Sequence, residues 1–407
     1  MFKCRVCRTE VRPFMTFGQM PIANGFLTEG QFADEFFYEM EVGVCSACSM
    51  FQLAGQPEPQ QMFHQSYAFY SSLSAHMQSH FGNFAAYLDE EYLSRRIDPF
   101  VVELGSNDGI MLQHIKERGY RHLGVEPSAN VADIARSKGI ETLSEFFSLD
   151  LALRLGSLHG KADVVTCANV MCHIPDINSV AAGIASLLKP DGVLVFEDPY
   201  LGNVIEKISY DQIYDEHVFL FSVRSVGNAF SRHGLELVDV TPQETHGGSM
   251  RYILAPKGSR PIKPSVSEWL QVESRQGLDV QDTYDKFKKD CDVSRMKLKN
   301  LIKALKIEGK RIVGYGATSK STSVLNYCGI GPEDIEYITD TTPLKQGKFS
   351  PGAHIPIRGH DAFTGDYPDY ALLFAWNHAN EIFSKEGNYK RSGGKWILFV
   401  PEVKVIN

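Results

Sequence analysis

The chain has 407 residues, 43% of them hydrophobic and 22% charged, with a formal net charge of −8. That length exceeds one ordinary hydrophobic core and predicts two or three domains. The acidic balance argues against nucleic acid or an anionic membrane as a partner. Met1–Cys7 lacks a signal core, and apolar runs such as Tyr370–Trp376 are far too short to cross a bilayer, so the expected setting is cytoplasmic.

The first element in chain order is a cysteine-bearing module over residues 1–60. Four of the eight cysteines lie there as Cys4-x-x-Cys7 and Cys45-x-x-Cys48. Two such turns can close a tetrahedral Zn²⁺ site with Zn–S bonds of about 2.3 Å. A site filled by four sulfurs leaves no position for water, so the metal is expected to be structural. The long separation requires the Phe14–Tyr38 segment to fold back. Redox or uninvolved thiols are the weaker alternative, and Cys167, Cys172, Cys291 and Cys328 are scattered as ordinary packing residues are.

Residues 61–95 read as largely helical. Short β-branched runs then recur at Phe100–Leu104, Leu123–Glu126, Asp163–Ala168 and Gly192–Glu197, separated by helix-length stretches, which predicts a parallel sheet covered by helices. Leu235–Thr241 and Met250–Ala255, joined across Gly247 and Gly248, predict an antiparallel hairpin at the sheet edge. A linker follows from Pro256 to Pro264, with three prolines and a glycine. A long charged helix is expected over Val266–Ile307. A second βα alternation then runs through Arg311–Tyr315, Ile335–Thr339, Ala371–Trp376 and Trp396–Val400.

The turn after the first sheet strand, Glu103-Leu104-Gly105-Ser106-Asn107-Asp108-Gly109, has the form of a cofactor loop. Gly105 and Gly109 permit a tight turn and close approach of a ligand. Glu126 ends the next strand, where an acid can accept both ribose hydroxyls of an adenosine. Nicotinamide folds share these features. Here, however, G-x-G-x-x-G is absent, Asn107 takes the middle-glycine position, and Glu103 would repel a pyrophosphate but attract a methionine ammonium. With the closing hairpin, the reading is S-adenosylmethionine, bound by Glu103, Gly105, Asn107, Asp108, Gly109, Glu126, Pro127 and Asn169. The expected fold is therefore α/β: a zinc-binding module (1–60), a class I methyltransferase Rossmann-like domain (61–260) and a second Rossmann-like domain (261–407).

Beyond the strand Gly192–Glu197 lies Asp211-Gln212-Ile213-Tyr214-Asp215-Glu216-His217. Loops at the carboxyl ends of parallel strands line the ligand crevice. A histidine there can act as general base near neutral pH, with Glu216 or Asp215 available to orient its ring. His173 follows another strand of the sheet and should face the same crevice. In the second alternation, Gly314-Tyr315-Gly316-Ala317-Thr318-Ser319-Lys320 combines small residues, hydroxyls and a lysine at a helix amino terminus, as phosphate sites do. Gly316, Thr318, Lys320, Arg251, Asn377 and His378 are the candidate residues for a nucleotide diphosphate. A small-molecule O- or N-methyltransferase, a nicotinamide oxidoreductase using the carboxyl-terminal Gly-x-Gly-Ala, and a non-enzymatic zinc-ribbon protein are the competing readings.

These motifs, with His246-Gly247-Gly248-Ser249-Met250-Arg251, run the length of the chain. It resembles the three-domain sugar C-methyltransferases that act at C-3′ of nucleotide-linked 4-keto-6-deoxyhexoses. The resemblance implies a zinc-binding first domain, a central methyltransferase domain and a carboxyl-terminal domain that helps hold a dTDP- or GDP-linked ketosugar. It implies an active-site group of Tyr214, Glu216, His217 and His173, joined by Tyr67 or the shifted Tyr70, since Phe69 interrupts the usual Tyr-x-Tyr. The expected reaction is removal of the C3 proton by His217, with Tyr214 as the rival base, and attack of the enolate carbon on the sulfonium methyl.

Overall fold

The computed structural model describes residues 1–62 and 75–407, so Tyr67 and Tyr70 lie outside the described residues. A four-stranded antiparallel sheet near the amino terminus has the order Phe219–Leu220, Phe51–Leu53, Phe37–Val44, Pro13–Pro21. The Pro13–Pro21 and Phe37–Val44 pair provides the fold-back that the cysteine spacing demands. Its outer strand is borrowed: Phe219–Leu220 comes from just beyond the Tyr214–His217 segment, with Phe219 opposite Gln52.

The central sheet has seven strands in the order Leu235–Gln243, Ser249–Pro256, Leu188–Pro199, Ala162–Ala168, Phe100–Leu104, Arg121–Val125, Thr142–Leu143. All pairings are parallel except those of Ser249–Pro256, which lies antiparallel between its two neighbours. Phe100–Leu104 is buried at every position, as a near-continuous apolar run must be when helices cover both faces. Ser222 caps the helix Val223–Ser231 by accepting from the Ser225 amide. Glu273, 1% exposed, reaches the same helix end from another helix and accepts from the Val223 and Arg224 amides and the Tyr200 hydroxyl. The carboxylate thus satisfies two of the amides that a helix start leaves open.

The expected Val266–Ile307 helix is two helices, Pro264–Gln276 and Gln281–Ile307. Gly277, at φ 69°, ends the first in the left-handed region. In the second, Tyr284, Phe287, Cys291, Ser294, Leu298, Ile302 and Leu305 are buried; their three- and four-residue spacing makes one apolar stripe. The carboxyl-terminal sheet has the order Ile357–Arg358, Ile338–Thr339, Ile312–Tyr315, Tyr370–Leu373, Lys395–Leu398, Lys404–Ile406, parallel but for the last pair.

The amino-terminal module is wedged between the two larger sheets. Cys4, Val6, Val11 and Met50 pack into the core that holds Phe100, Phe196 and Tyr252. Met15, Phe17, Met20 and Met40 pack into the core that holds Phe287, Leu325 and Ile338. No helix among the described residues is long and apolar enough to cross a membrane. Glu273→Ala should cost about 3 kcal/mol of stability, since it strands buried donors that now meet a carboxylate. Urea denaturation checks this, with Glu273→Gln expected to lose less.

Candidate active site

The carboxyl ends of the two parallel sheets face a shared cavity of about 540 Å³, within the range of small-molecule sites. From the central sheet it is lined by Gly105, Asn107, Glu126, Pro127, Asn169 and His173. The carboxyl-terminal domain adds Thr318, Ser319, Lys320, Lys345, Asn377 and His378, and the loop between them adds Tyr214, Glu216 and His217. Asn24, Gln212, Lys345 and His246 are among the wall residues that sequence reasoning did not mark as site residues.

Gly105 sits at φ +62°, and a Cβ there would lie 2.4 Å from Val170 Cγ2, so the turn closes only with glycine. Asn107 and Asn169 also adopt positive φ. Glu126 is buried, which raises its carboxyl pKa, and accepts hydrogen bonds from the amides of Asn107 (3.0 Å) and Ser128 (2.8 Å). Three residues expected at the cofactor do not line the wall. Leu104 reaches it where Glu103, one residue earlier on an alternating strand, does not. Asp108 is buried with Lys138 Nζ 3.6 Å away, and Gly109 packs on Ile140. Glu103 keeps a charge relation to the site. Its Oε2 is buried without a hydrogen-bond partner among the described residues, and burial with Glu126 and Asp108 nearby raises its pKa. A cationic ligand suits that acidic group.

The catalytic candidates lie on the loop Asp211–Val218. His217 Nδ1 is 2.7 Å from the main-chain carbonyl of Gln212. A carbonyl can only accept, so Nδ1 carries the proton and Nε2 presents its lone pair, taking the Tyr214 hydroxyl at 2.8 Å. The orienting group is therefore Gln212, not the expected Asp215 or Glu216. The Asp215 carboxylate accepts from the Ala23 amide, and Glu216 accepts from Asn24 at 2.5 Å. These bonds tie the loop to the amino-terminal module. The His173 ring centre is 5.2 Å from that of His217. Burial, and for His217 also the neighbouring His173, holds both rings' pKa values down, that of His173 to about 4. Both are neutral at pH 7.

In the carboxyl-terminal domain, Thr318 caps the helix Ser319–Cys328 by accepting from the Ser321 amide at 3.1 Å. Lys320 and Lys345 bring two cations to the wall, and burial lowers the pKa of both. Arg251 and Gly316 do not line the cavity. Arg251 is held by Glu197 (2.5 Å) and lies over the Phe84 and Tyr87 rings, so its charge is already paired inside the fold. The Gly316 amide is spent on the Thr339 carbonyl.

At the amino terminus, Cys4 and Cys48 sulfurs are 3.5 Å apart, Cys7 and Cys45 sulfurs 3.4 Å, and all four lie within 4.8 Å of one another. Bonds of about 2.3 Å in a tetrahedron require S···S edges of about 3.8 Å, so the cage fits zinc. Gln52 donates to the Cys4 sulfur at 3.2 Å, orienting a ligand from outside the set.

Fold, loop and cysteine cage define a methyltransferase that uses S-adenosylmethionine and has a zinc-binding domain. Three family models match successive stretches: "Putative zinc binding domain" over residues 4–63, "Methyltransferase domain" over 81–240 and "C-methyltransferase C-terminal domain" over 244–401. The C-methyltransferase NovU of Streptomyces niveus is 35% identical over 408 residues, which cover 100% of this chain and 97% of that protein. The chain belongs to the C-methyltransferase family. The ubiquinone biosynthesis O-methyltransferase of Colwellia psychrerythraea is 25% identical over 157 residues, 35% of this chain and 63% of that one. Among solved structures, magnesium protoporphyrin IX methyltransferase of Synechocystis PCC 6803 with bound SAM matches 44% of this chain and 78% of that chain, with 15% identity and a TM-score of 0.34.

Two outcomes are expected. Cys45→Ser should lose zinc, by elemental analysis, and lower the melting temperature by several degrees. Glu126→Gln should weaken adenosylhomocysteine binding about tenfold by calorimetry, a change of about 1.4 kcal/mol, with zinc content unchanged.

Proposed function

We propose that the chain methylates carbon, most simply C3, of a dTDP- or GDP-linked 4-keto-6-deoxyhexose. The observation that carries this reading is the Tyr214–His217 pair. It is a neutral imidazole with its proton fixed on Nδ1 and its Nε2 lone pair in the cavity wall, 2.8 Å from a phenol. A carbon next to a ketone is acidic enough for such a base, whereas an alcohol or amine acceptor would need no carbon acid chemistry. The name of the relative NovU, which covers the full length, points the same way.

In this reading His217 Nε2 takes the C3 proton, with the Tyr214 hydroxyl turning from His217 towards the substrate. The electron pair of the broken C–H bond delocalises onto the ketone oxygen. His173, whose ring centre lies 5.2 Å from that of His217, is the group assigned to stabilise that oxygen. When bound, S-adenosylmethionine would supply an electrophilic methyl group to the enolate carbon, with the neutral thioether as leaving group. Gly105, Asn107, Glu126, Pro127 and Asn169 hold it, with Glu103 balancing its charge from behind the wall. Lys320, Lys345 and Thr318 take the diphosphate, and Asn377 and His378 complete that end.

The test is incubation with nucleotide-linked ketosugars in D₂O without methyl donor. Deuterium should enter at C3, and adding S-adenosylmethionine should add one CH₂ to the sugar. His217→Asn should lose exchange and methylation together by about 10²-fold or more; full turnover would remove His217 from the role of base. Because burial lowers the His217 pKa, its base form persists as pH falls through 6.5. The acid limb of kcat/KM should therefore lie below that ordinary histidine value.

A further inference from the structure

His246 lies in the loop between the last two strands of the central sheet and is one of the residues lining the cavity. Its Nε2 is buried with no hydrogen-bond partner among the described residues. A polar atom shut away from water in this manner is costly unless a ligand completes it. The backbone pays as well: His246 sits at φ 55°, ψ 20°, in the left-handed region, where a residue with a Cβ is strained and glycine is not.

The strain is locked in from three sides. Gln212 Nε2 donates to the His246 carbonyl at 2.5 Å. Gly247 backs onto Trp376, where an added Cβ would meet the indole at 2.3 Å, and Lys207 donates to the Gly247 carbonyl. A glycine at position 246 would relax the turn, so the imidazole is held there at conformational cost. The titratable groups that face it are Lys320 and His378 from the carboxyl-terminal domain, His173 from the central sheet and His80 from the helix Ala75–Leu88. Burial and these neighbours hold its pKa down to about 3, so the ring is uncharged in use. It has no call to act as a cation for phosphate, and it neighbours both the Lys320 end of the cavity and the His173–His217 end.

We infer that His246 is a substrate-binding residue, its imidazole hydrogen bonding to the hexose between the diphosphate and the reacting carbon and thereby setting C3 against His217. This rests on the substrate reading given above.

The discriminating variant is His246→Gly, which keeps the turn and deletes the imidazole. It should fold with an unchanged or higher melting temperature. Its KM for the nucleotide-linked ketosugar should rise about tenfold, the scale of one lost neutral hydrogen bond, while KM for S-adenosylmethionine and the acid limb of the pH profile stay put. His246→Asn tolerates the same backbone and carries an amide, and should recover most of the loss. Free imidazole should partly restore His246→Gly. If His246→Gly does not fold, the contrast between His246→Asn and His246→Ala decides, since a purely structural residue gives no difference in ketosugar KM between folded variants. Wild-type methylation with an indifferent His246→Gly would overturn this inference alone. Absence of methyl transfer to any nucleotide-linked ketosugar by the wild-type protein would overturn the substrate reading and this inference with it.

Discussion

The arrangement of the site depends on one residue, Gln212, which uses its main chain and its side chain on different partners. Its carbonyl takes the Nδ1 proton of His217, and its carboxamide clasps the carbonyl of His246. The first bond decides which nitrogen of the histidine bears a lone pair. The second fixes the strained turn at His246. Asp211, next to it, accepts from Trp376 Nε1 at 2.6 Å, and the same indole backs the Gly247 turn. Moving the short helical turn Tyr210–Gln212 would disturb His217, the His246 loop and the carboxyl-terminal domain together. Such over-determination is what a loop needs to serve as a rigid catalytic support.

A loop rarely has enough secondary structure of its own to be held that firmly. Here the holding bonds come from separate parts of the chain. The Ala23 amide and Asn24 take the carboxylates of Asp215 and Glu216, the Ser323 hydroxyl donates to the Ile213 carbonyl, and the Thr322 hydroxyl donates to the Ala23 carbonyl. The amino-terminal module and the carboxyl-terminal helix Ser319–Cys328 thus grip the loop from two sides and grip each other. Asp211 shows the electrostatic consequence: burial pushes its pKa up to about 6, while Lys320 and the Trp376 indole pull it back. The zinc cage is remote in chemistry from the cavity but joined to it mechanically, because Phe219–Leu220 carries the chain from the catalytic loop into the cysteine-bearing sheet.

What the sequence disclosed follows from the range of the interactions involved. Strand rhythm, the cysteine pairs, the Gly105 turn and the Tyr214–His217 cluster are local patterns, and each stands in the fold where its spacing put it. The break at Gly277 was hidden because one glycine inside a charged helical pattern is tolerated often enough not to signal a stop. Lys345 and Asn24 carried no local signal at all. One sits in a turn-rich stretch after Thr339 and the other in a turn between strands, and only tertiary packing brings them to the cavity. Arg251 misled in the opposite sense. Its charge suggested a diphosphate partner, yet Glu197 and two aromatic rings from Ala75–Leu88 absorb it, a pairing between elements far apart in sequence.

The orientation of His217 illustrates the same limit most clearly. Two carboxylates stand next to it in sequence, and an acid adjoining a histidine invites a reading in which the acid orients the ring. A carboxylate partner would also raise the histidine's pKa and so keep it protonated at higher pH. A neutral main-chain carbonyl fixes the tautomer without stabilising the imidazolium to that degree, so the ring remains a free base in a buried site. The acids, meanwhile, spend their charge on the amide of Ala23 and on Asn24, where they hold the loop in place. The fold thus separates two tasks that proximity in sequence would merge: the acidic side chains hold the Asp211–Val218 loop in place, and an uncharged group sets the tautomer of His217.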